Sequence, residues 1–225
     1  MNRFALLLLG VAFGLSGCRA EPGSPPVYDE DWKQSELLMP EFLQGPEGYV
    51  DGEERMHLGI FYEGGHSDII LIDNDTVHYY LYVLANTDTP TVSQSTDLER
   101  VEGTFSDKII HGGYGWWGTG VHIESGDAVD LSGWDTMHIS LRSADPGFDS
   151  VLIRMESEGG NGEVDARDYG YTADGEWHSI TIPMADLEAS GLEPSTITSP
   201  IGLGGMAGEP GDSLWVDNLY LTKMP

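Results

Sequence analysis

The chain has 225 residues, of which 38 are Asp or Glu and 10 are Lys or Arg, for a formal net charge of −28 at pH 7. Such a surface repels phosphate backbones and other strongly anionic polymers, which excludes nucleic acid as a partner and suits work outside the cell in salt. The single cysteine rules out an internal disulfide, so a packed core or bound metal must supply stability.

Residues 1–17 read as an export signal: Arg3 opens it, Phe4 to Gly14 form the apolar stretch, and Leu15-Ser16-Gly17 lead to a cut before Cys18. The apolar run is shorter than the ~20 residues that span a bilayer. Leu-Ser-Gly-Cys resembles the lipobox of bacterial lipoproteins, which implies that Cys18 becomes an acylated N-terminus and that the protein is held in the cell envelope by lipid. Arg19 is not the aspartate that retains such proteins at the inner membrane, so the outer membrane is the expected site. Residues 18–54 then read as a tether, because Glu21-Pro-Gly-Ser-Pro-Pro26 permits neither helix nor ladder.

Residues 55–225 make one domain. Glycine is abundant (30 residues), aromatic residues are frequent, and runs of helix formers are nearly absent, which is the composition of an all-β chain. Alternating or apolar runs predict strands near 57–63, 68–73, 77–84, 98–105, 117–124, 134–142, 149–156, 163–169, 176–182, 200–206 and 213–222. Turn residues divide them, as at Asp145-Pro-Gly147 and Glu209-Pro-Gly-Asp212. One short helix is expected at Met184–Ser190, broken by Gly191. The architecture implied is an antiparallel β-sandwich.

Side chains alternate across a strand, so each run divides into a core set and an outer set. In the run from Trp117, Val121 and Ile123 point inward, leaving Trp116, Gly118, Gly120 and His122 outside. Met137, Ile139 and Leu141 oppose His138 and Ser140, and Val151, Ile153 and Met155 oppose Leu152, Arg154 and Glu156. Outward rings mixed with a guanidinium, carboxylates and imidazoles suit a sugar, whose C–H face stacks on an aromatic ring while its hydroxyls seek planar donors and acceptors. The segment His111-Gly-Gly-Tyr-Gly-Trp-Trp-Gly118 is the densest candidate, with Tyr114 and Trp116 as stacking rings; Tyr169 and Tyr171 form a second. His138 and Arg154 complete the expected ligand set, Arg154 being equally suited to an ion pair with Glu156. Trp117, Trp177 and Trp215 are expected in the core.

Three motifs follow in order: Asp130-Leu-Ser-Gly-Trp-Asp-Thr-Met-His-Ile-Ser-Leu141, Gly175-Glu-Trp-His-Ser-Ile-Thr-Ile-Pro-Met-Ala-Asp-Leu187 and Ser213-Leu-Trp-Val-Asp-Asn-Leu-Tyr-Leu221. Together they resemble the galactose-binding-like jelly-roll carbohydrate-binding modules, most of all the family 11 type and the C-terminal domains of some exo-glucanases. The resemblance covers roughly residues 57–223. It implies a jelly roll that binds a polysaccharide or oligosaccharide, such as a neutral β-glucan, on its concave sheet and partners secreted or surface glycoside hydrolases. It also implies a structural calcium ion, with Asp217 and Glu63 matching the family's acidic ligands and Asp68 completing the shell.

Two other functions also fit the sequence. Glu163-Val-Asp-Ala-Arg-Asp168 resembles the E-x-D-x-x-E strand of family 16 glycoside hydrolases, which would make Glu163 and Asp168 catalytic, although an aspartate stands where that family uses glutamate. Alternatively, the sandwich is a structural envelope protein that contacts other proteins. The seven histidines lack ligand spacing, so no zinc site is indicated.

Overall fold

The computed structural model describes residues 54–57, 69–70, 79–84, 91–95, 101, 106–124 and 126–223. The expected anchor Cys18, residues 18–53 of the expected tether, Glu63 and Asp68 lie outside these residues, and Glu54, the expected end of the tether, opens the first strand.

Twelve described strands form two sheets. They are β1 (Glu54–His57), β2 (Ile69–Ile70), β3 (Tyr79–Leu84), β4 (Thr91–Ser95), β5 (Ser106–Ile110), β6 (Trp116–Ile123), β7 (Thr136–Arg142), β8 (Leu152–Ser157), β9 (Asn161–Asp165), β10 (His178–Pro183), β11 (Ile197–Met206) and β12 (Ser213–Lys223). The first sheet runs β10-β7-β12-β1-β2, with β5 also on β12 and β4 on β5; the second runs β3-β6-β11-β8-β9. Apart from the parallel pair β1–β2, the described pairings are antiparallel. This is the jelly-roll sandwich expected from the alternation.

The core lies between the sheets. Val121, Ile123, Ile153, Met155, Ile201 and Leu203 meet Met137, Ile139, Leu141, Ile180, Ile182, Leu214 and Val216, all almost fully buried. Strand β12 changes parity part-way. Asp217 pairs with Ser140 while Tyr220 pairs with His138, so one extra residue bulges out at Asn218, whose φ is 56°. Before the bulge Leu214 and Val216 face inward; after it Leu219 and Leu221 do. A 3-10 turn at Pro146–Phe148 drives Phe148 into one end of the core, edge-on to Trp117 with ring centroids 4.9 Å apart. The short helix α1 (Met184–Ser190) buries Met184 and Leu187 and ends at Gly191, φ 124°. Gly162 of β9 lies so close beneath it that a Cβ there would stand 2.6 Å from the Leu187 carbonyl oxygen.

Three strand expectations shift. Near the expected 57–63 the described strand is β1, Glu54–His57. The strand expected at 163–169 is β9, which starts earlier and stops at Asp165, because Asp165 caps a 3-10 turn over Ala166–Tyr169 by accepting from the Arg167 N–H. In the range 98–105 the described residue, Val101, is in a bend, and the strands nearby are β4 and β5.

Candidate functional site

The outer face of the second sheet is built by register. On β6, Trp117, Thr119, Val121 and Ile123 are buried in the sandwich, so Trp116, Gly118 and Gly120 take the other face. Across the ladder Gly204 stands opposite Gly118 and Gly202 opposite Gly120. The next strand sets Leu152 beside Gly204 and Arg154 beside Gly202, and β9 then sets Asp165 beside Leu152 and Glu163 beside Arg154. On the far side, Tyr82 and Leu84 of β3 occupy the register positions opposite Gly120 and Gly118. Four glycines therefore occupy one face in the middle of the sheet, where any other residue would raise a side chain.

The result is an open groove of about 240 Å3, floored by Gly118, Gly202 and Gly204 and walled by Leu152, Arg154, Glu156 and Glu163. Trp116 stands at its end, 41 % exposed. Its register partner Met206 is 70 % exposed, and these two are the large exposed apolar side chains among the described residues. The Arg154 Nε lies 3.1 Å from Glu156 Oε1, an ion pair in which the Nε–H makes no hydrogen bond. With the Asn161 amide turned so that its oxygen faces Arg154, that oxygen accepts from a terminal guanidinium nitrogen at 2.5 Å. The guanidinium is thus oriented by two neighbours, and Glu163 is an exposed acceptor beside it. An apolar ring and planar polar groups meet over bare backbone, which is the requirement set by a sugar.

Of the expected ligand residues, Trp116 and Arg154 share this groove. The others stand elsewhere. His138 is on the first sheet and buried, 6 % exposed, because the outer face of β7 is itself covered. Its ring stacks on Tyr220 at 4.5 Å, and its two nitrogens lie 3.0 Å from the Thr222 hydroxyl and 3.3 Å from that of Thr181. Tyr171 is 1 % exposed and its hydroxyl donates to the Phe148 carbonyl at 2.9 Å; burial pushes its pKa up. Tyr169 is half-buried on the 3-10 turn and donates to Asp186 at 2.8 Å, and burial together with that carboxylate raises its pKa to about 12. Tyr114 is half-buried on the loop leading to Trp116, outside the groove lining. The site also uses the glycines of Ile201-Gly-Leu-Gly-Gly205, whose signal in the sequence is an alternation that matches Gly118-Thr-Gly120.

The two carboxylates of the catalytic alternative lie on different elements. Glu163 lies on β9 and lines the groove, whereas Asp168 lies on the 3-10 turn after the strand has ended. Strand alternation no longer applies there, so it does not set Asp168 beside Glu163. Asp165 between them is taken up by Ser150 and Arg167 at 2.7 and 2.6 Å; burial raises its pKa, but these bonds outweigh it and hold the carboxyl below the usual range.

Asp217 is 2 % exposed, and its two oxygens accept from the main-chain N–H groups of Val101 at 2.7 Å and Asn218 at 2.8 Å. Among the described residues no cluster of three His, Cys, Asp or Glu side chains could hold an ion. The described residues alone do not supply a calcium shell.

The sequence pattern of carbohydrate binding domain 30 matches residues 68–223, more than half of the chain. The chain belongs to this family. It is a carbohydrate-binding module. A crystal structure of a family 30 module superposes with a TM-score of 0.50 and 18% identity, covering 64% of this chain and 78% of that one. The family 30 module of a cellulosomal cellulase of Clostridium thermocellum gives a TM-score of 0.48 at 18% identity, covering 66% and 91%. A family 11 module of the same organism, solved with a β-1,3-1,4-mixed-linked tetrasaccharide, gives 0.48 at 16%, covering 78% and 98%. The first of these likenesses shows the fold. No curated protein matches the chain.

His138 carries a stability prediction. Burial first, and the Arg55 charge second, push its pKa down from 6.5 to about 4. The folded state therefore binds this proton less readily than the unfolded chain, so its contribution is intact above pH 6.5 and lost as pH falls toward 4. The full loss is about 3 kcal/mol. Urea midpoints of the wild type and His138→Gln, compared at pH 7 and pH 4.5, should show a smaller acid loss in the variant. Equal losses would show that the imidazole titrates alike in both states.

Proposed function

We propose that the module binds a neutral β-glucan-type polysaccharide, without cleaving it, in the groove on the second sheet. A sugar chain lies on the strip of Gly118, Gly202 and Gly204, one ring stacks on Trp116, and hydroxyls bond to Arg154, Glu156 and Glu163. The observation that carries this reading is the exposed indole at the end of a glycine floor. Two carboxylates against one guanidinium in the walls, on a chain of net charge −28, disfavour uronates and sulfated glycans. In this reading residues 1–17 export the protein from the cytoplasm, a lipid on Cys18 holds the module at the envelope, and the tether of residues 18–54 lets it present glycan to secreted or surface glycoside hydrolases.

Affinity electrophoresis tests it. Mixed-linked β-glucan or hydroxyethylcellulose in the gel should retard the folded protein, while polygalacturonate should not. Migration unaffected by every neutral β-glucan would overturn the ligand assignment.

Calcium is proposed separately, through Asp217 with Glu63 and Asp68. It predicts a thermal midpoint that rises with added calcium and falls with a chelator; an unchanged midpoint removes the ion from the account.

A further inference from the structure

We infer that His111 is a positioning residue that fixes the Trp116 end of the groove; this rests on the carbohydrate reading above. Trp116 opens β6 and Met206 closes β11, and the two are register partners. The segment 111–115 leads into the first and the segment 207–212 leads away from the second. His111, 2 % exposed, starts the first segment and turns its ring toward the second. Its Nδ1 accepts from the Gly113 N–H at 2.9 Å, and its Nε2 lies 3.3 Å from the Met206 carbonyl oxygen. An amide N–H only donates and a carbonyl only accepts. Both contacts are therefore met by one species, the neutral imidazole carrying its proton on Nε2.

The main chain doubles the tie. His111 N–H donates to the Asp212 carbonyl at 2.8 Å, and Gly211 N–H donates to the His111 carbonyl at 2.9 Å. Packing closes the gap between the segments. A Cβ on Gly208 would stand 2.8 Å from His111 Cδ2, and one on Gly113, where φ is +84°, would stand 2.5 Å from Pro210 Cγ. The imidazole also meets the Phe148 ring in a T-shaped contact, with ring centroids 6.0 Å apart. One side chain thus ties together the two segments that bear the large exposed apolar groups.

The tie matters because of what precedes the indole. Gly112, Gly113 and Gly115 give the segment wide backbone freedom, and a sugar that stacks on Trp116 must find the ring already held. Without the imidazole, ordering that segment falls on the binding step.

A double-mutant cycle, read by calorimetric titration of soluble mixed-linked β-glucan, tests this. His111→Leu should weaken binding about tenfold in the wild-type background and less than about twofold in the Trp116→Ala background, since the histidine acts through the indole. His111→Asn, whose side-chain oxygen can accept the Gly113 N–H, should recover binding to within about threefold of wild type. Additive losses, or no recovery by asparagine, would overturn the inference. Should the leucine variant fail to fold, 15N spectra of the wild-type imidazole decide the matter: protonated Nε2 with bare Nδ1 supports the inference and the reverse tautomer overturns it. If the wild type binds no glucan, the ligand assignment fails by itself. Iodide quenching of Trp116 then still reads the positioning, and unchanged quenching in His111→Leu would refute it.

Discussion

Trp116→Ala should cost glucan affinity about 10- to 100-fold, equivalent to about 1.4–2.7 kcal/mol, while leaving the unfolding midpoint nearly unmoved. The indole is 41 % exposed and stands at the groove's end, so its removal takes away an aromatic ring that a sugar can cover there. Truncating an aromatic anchor in a binding site commonly costs about 2 kcal/mol or more, the scale expected here. Surface substitutions of this kind change stability by about 0.5 kcal/mol or less. Calorimetric titration and urea unfolding of the same variant separate the two quantities. Retained affinity would mean that the ligand does not reach the indole.

Trp117→Ala should do the reverse. This neighbour points the other way, is 2 % exposed, and packs edge-on against Phe148. Gly205 makes room for it: a Cβ at that position would collide with the indole nitrogen. Truncating a buried tryptophan costs about 3–5 kcal/mol through lost burial and the cavity left behind. In a domain of this size that lowers the melting temperature by roughly 10 °C or more. Thermal unfolding of both variants side by side is the check, and equal stability losses would contradict the assignment of the two indoles to opposite faces.

Much of the architecture was legible because alternation is a strict geometric rule inside a strand. It separated Trp116 from Trp117 and Arg154 from Ile153, and it put Gly118 and Gly120 on the outer face. The same rule stops where a strand stops. Tyr169 and Tyr171 follow β9 after Asp165 has capped a 3-10 turn, so their parity carried no information about which way they face. Asp168 escaped for the same reason.

His138 illustrates a different limit. Alternation correctly opposed it to Met137 and Ile139, but it says nothing of what lies over each face. In the first sheet the polar face is as covered as the apolar one: Ser140 is 0 % exposed and Asp217 2 %. Pairing order was equally hidden. The sequence does not tell that β11 lies between β6 and β8, and that adjacency is what turns two separate glycine alternations into one floor.

The central claim is that sugar lies on the glycine strip of the second sheet. The most direct measurement is a 15N-amide and indole chemical-shift titration with a soluble mixed-linked β-glucan oligosaccharide. The account predicts that the largest shifts fall on Trp116, Gly118, Gly202, Gly204, Arg154 and Glu163, with the first sheet unmoved. Shifts centred on His138, Ser140 and Tyr220, with the glycine strip silent, would contradict it.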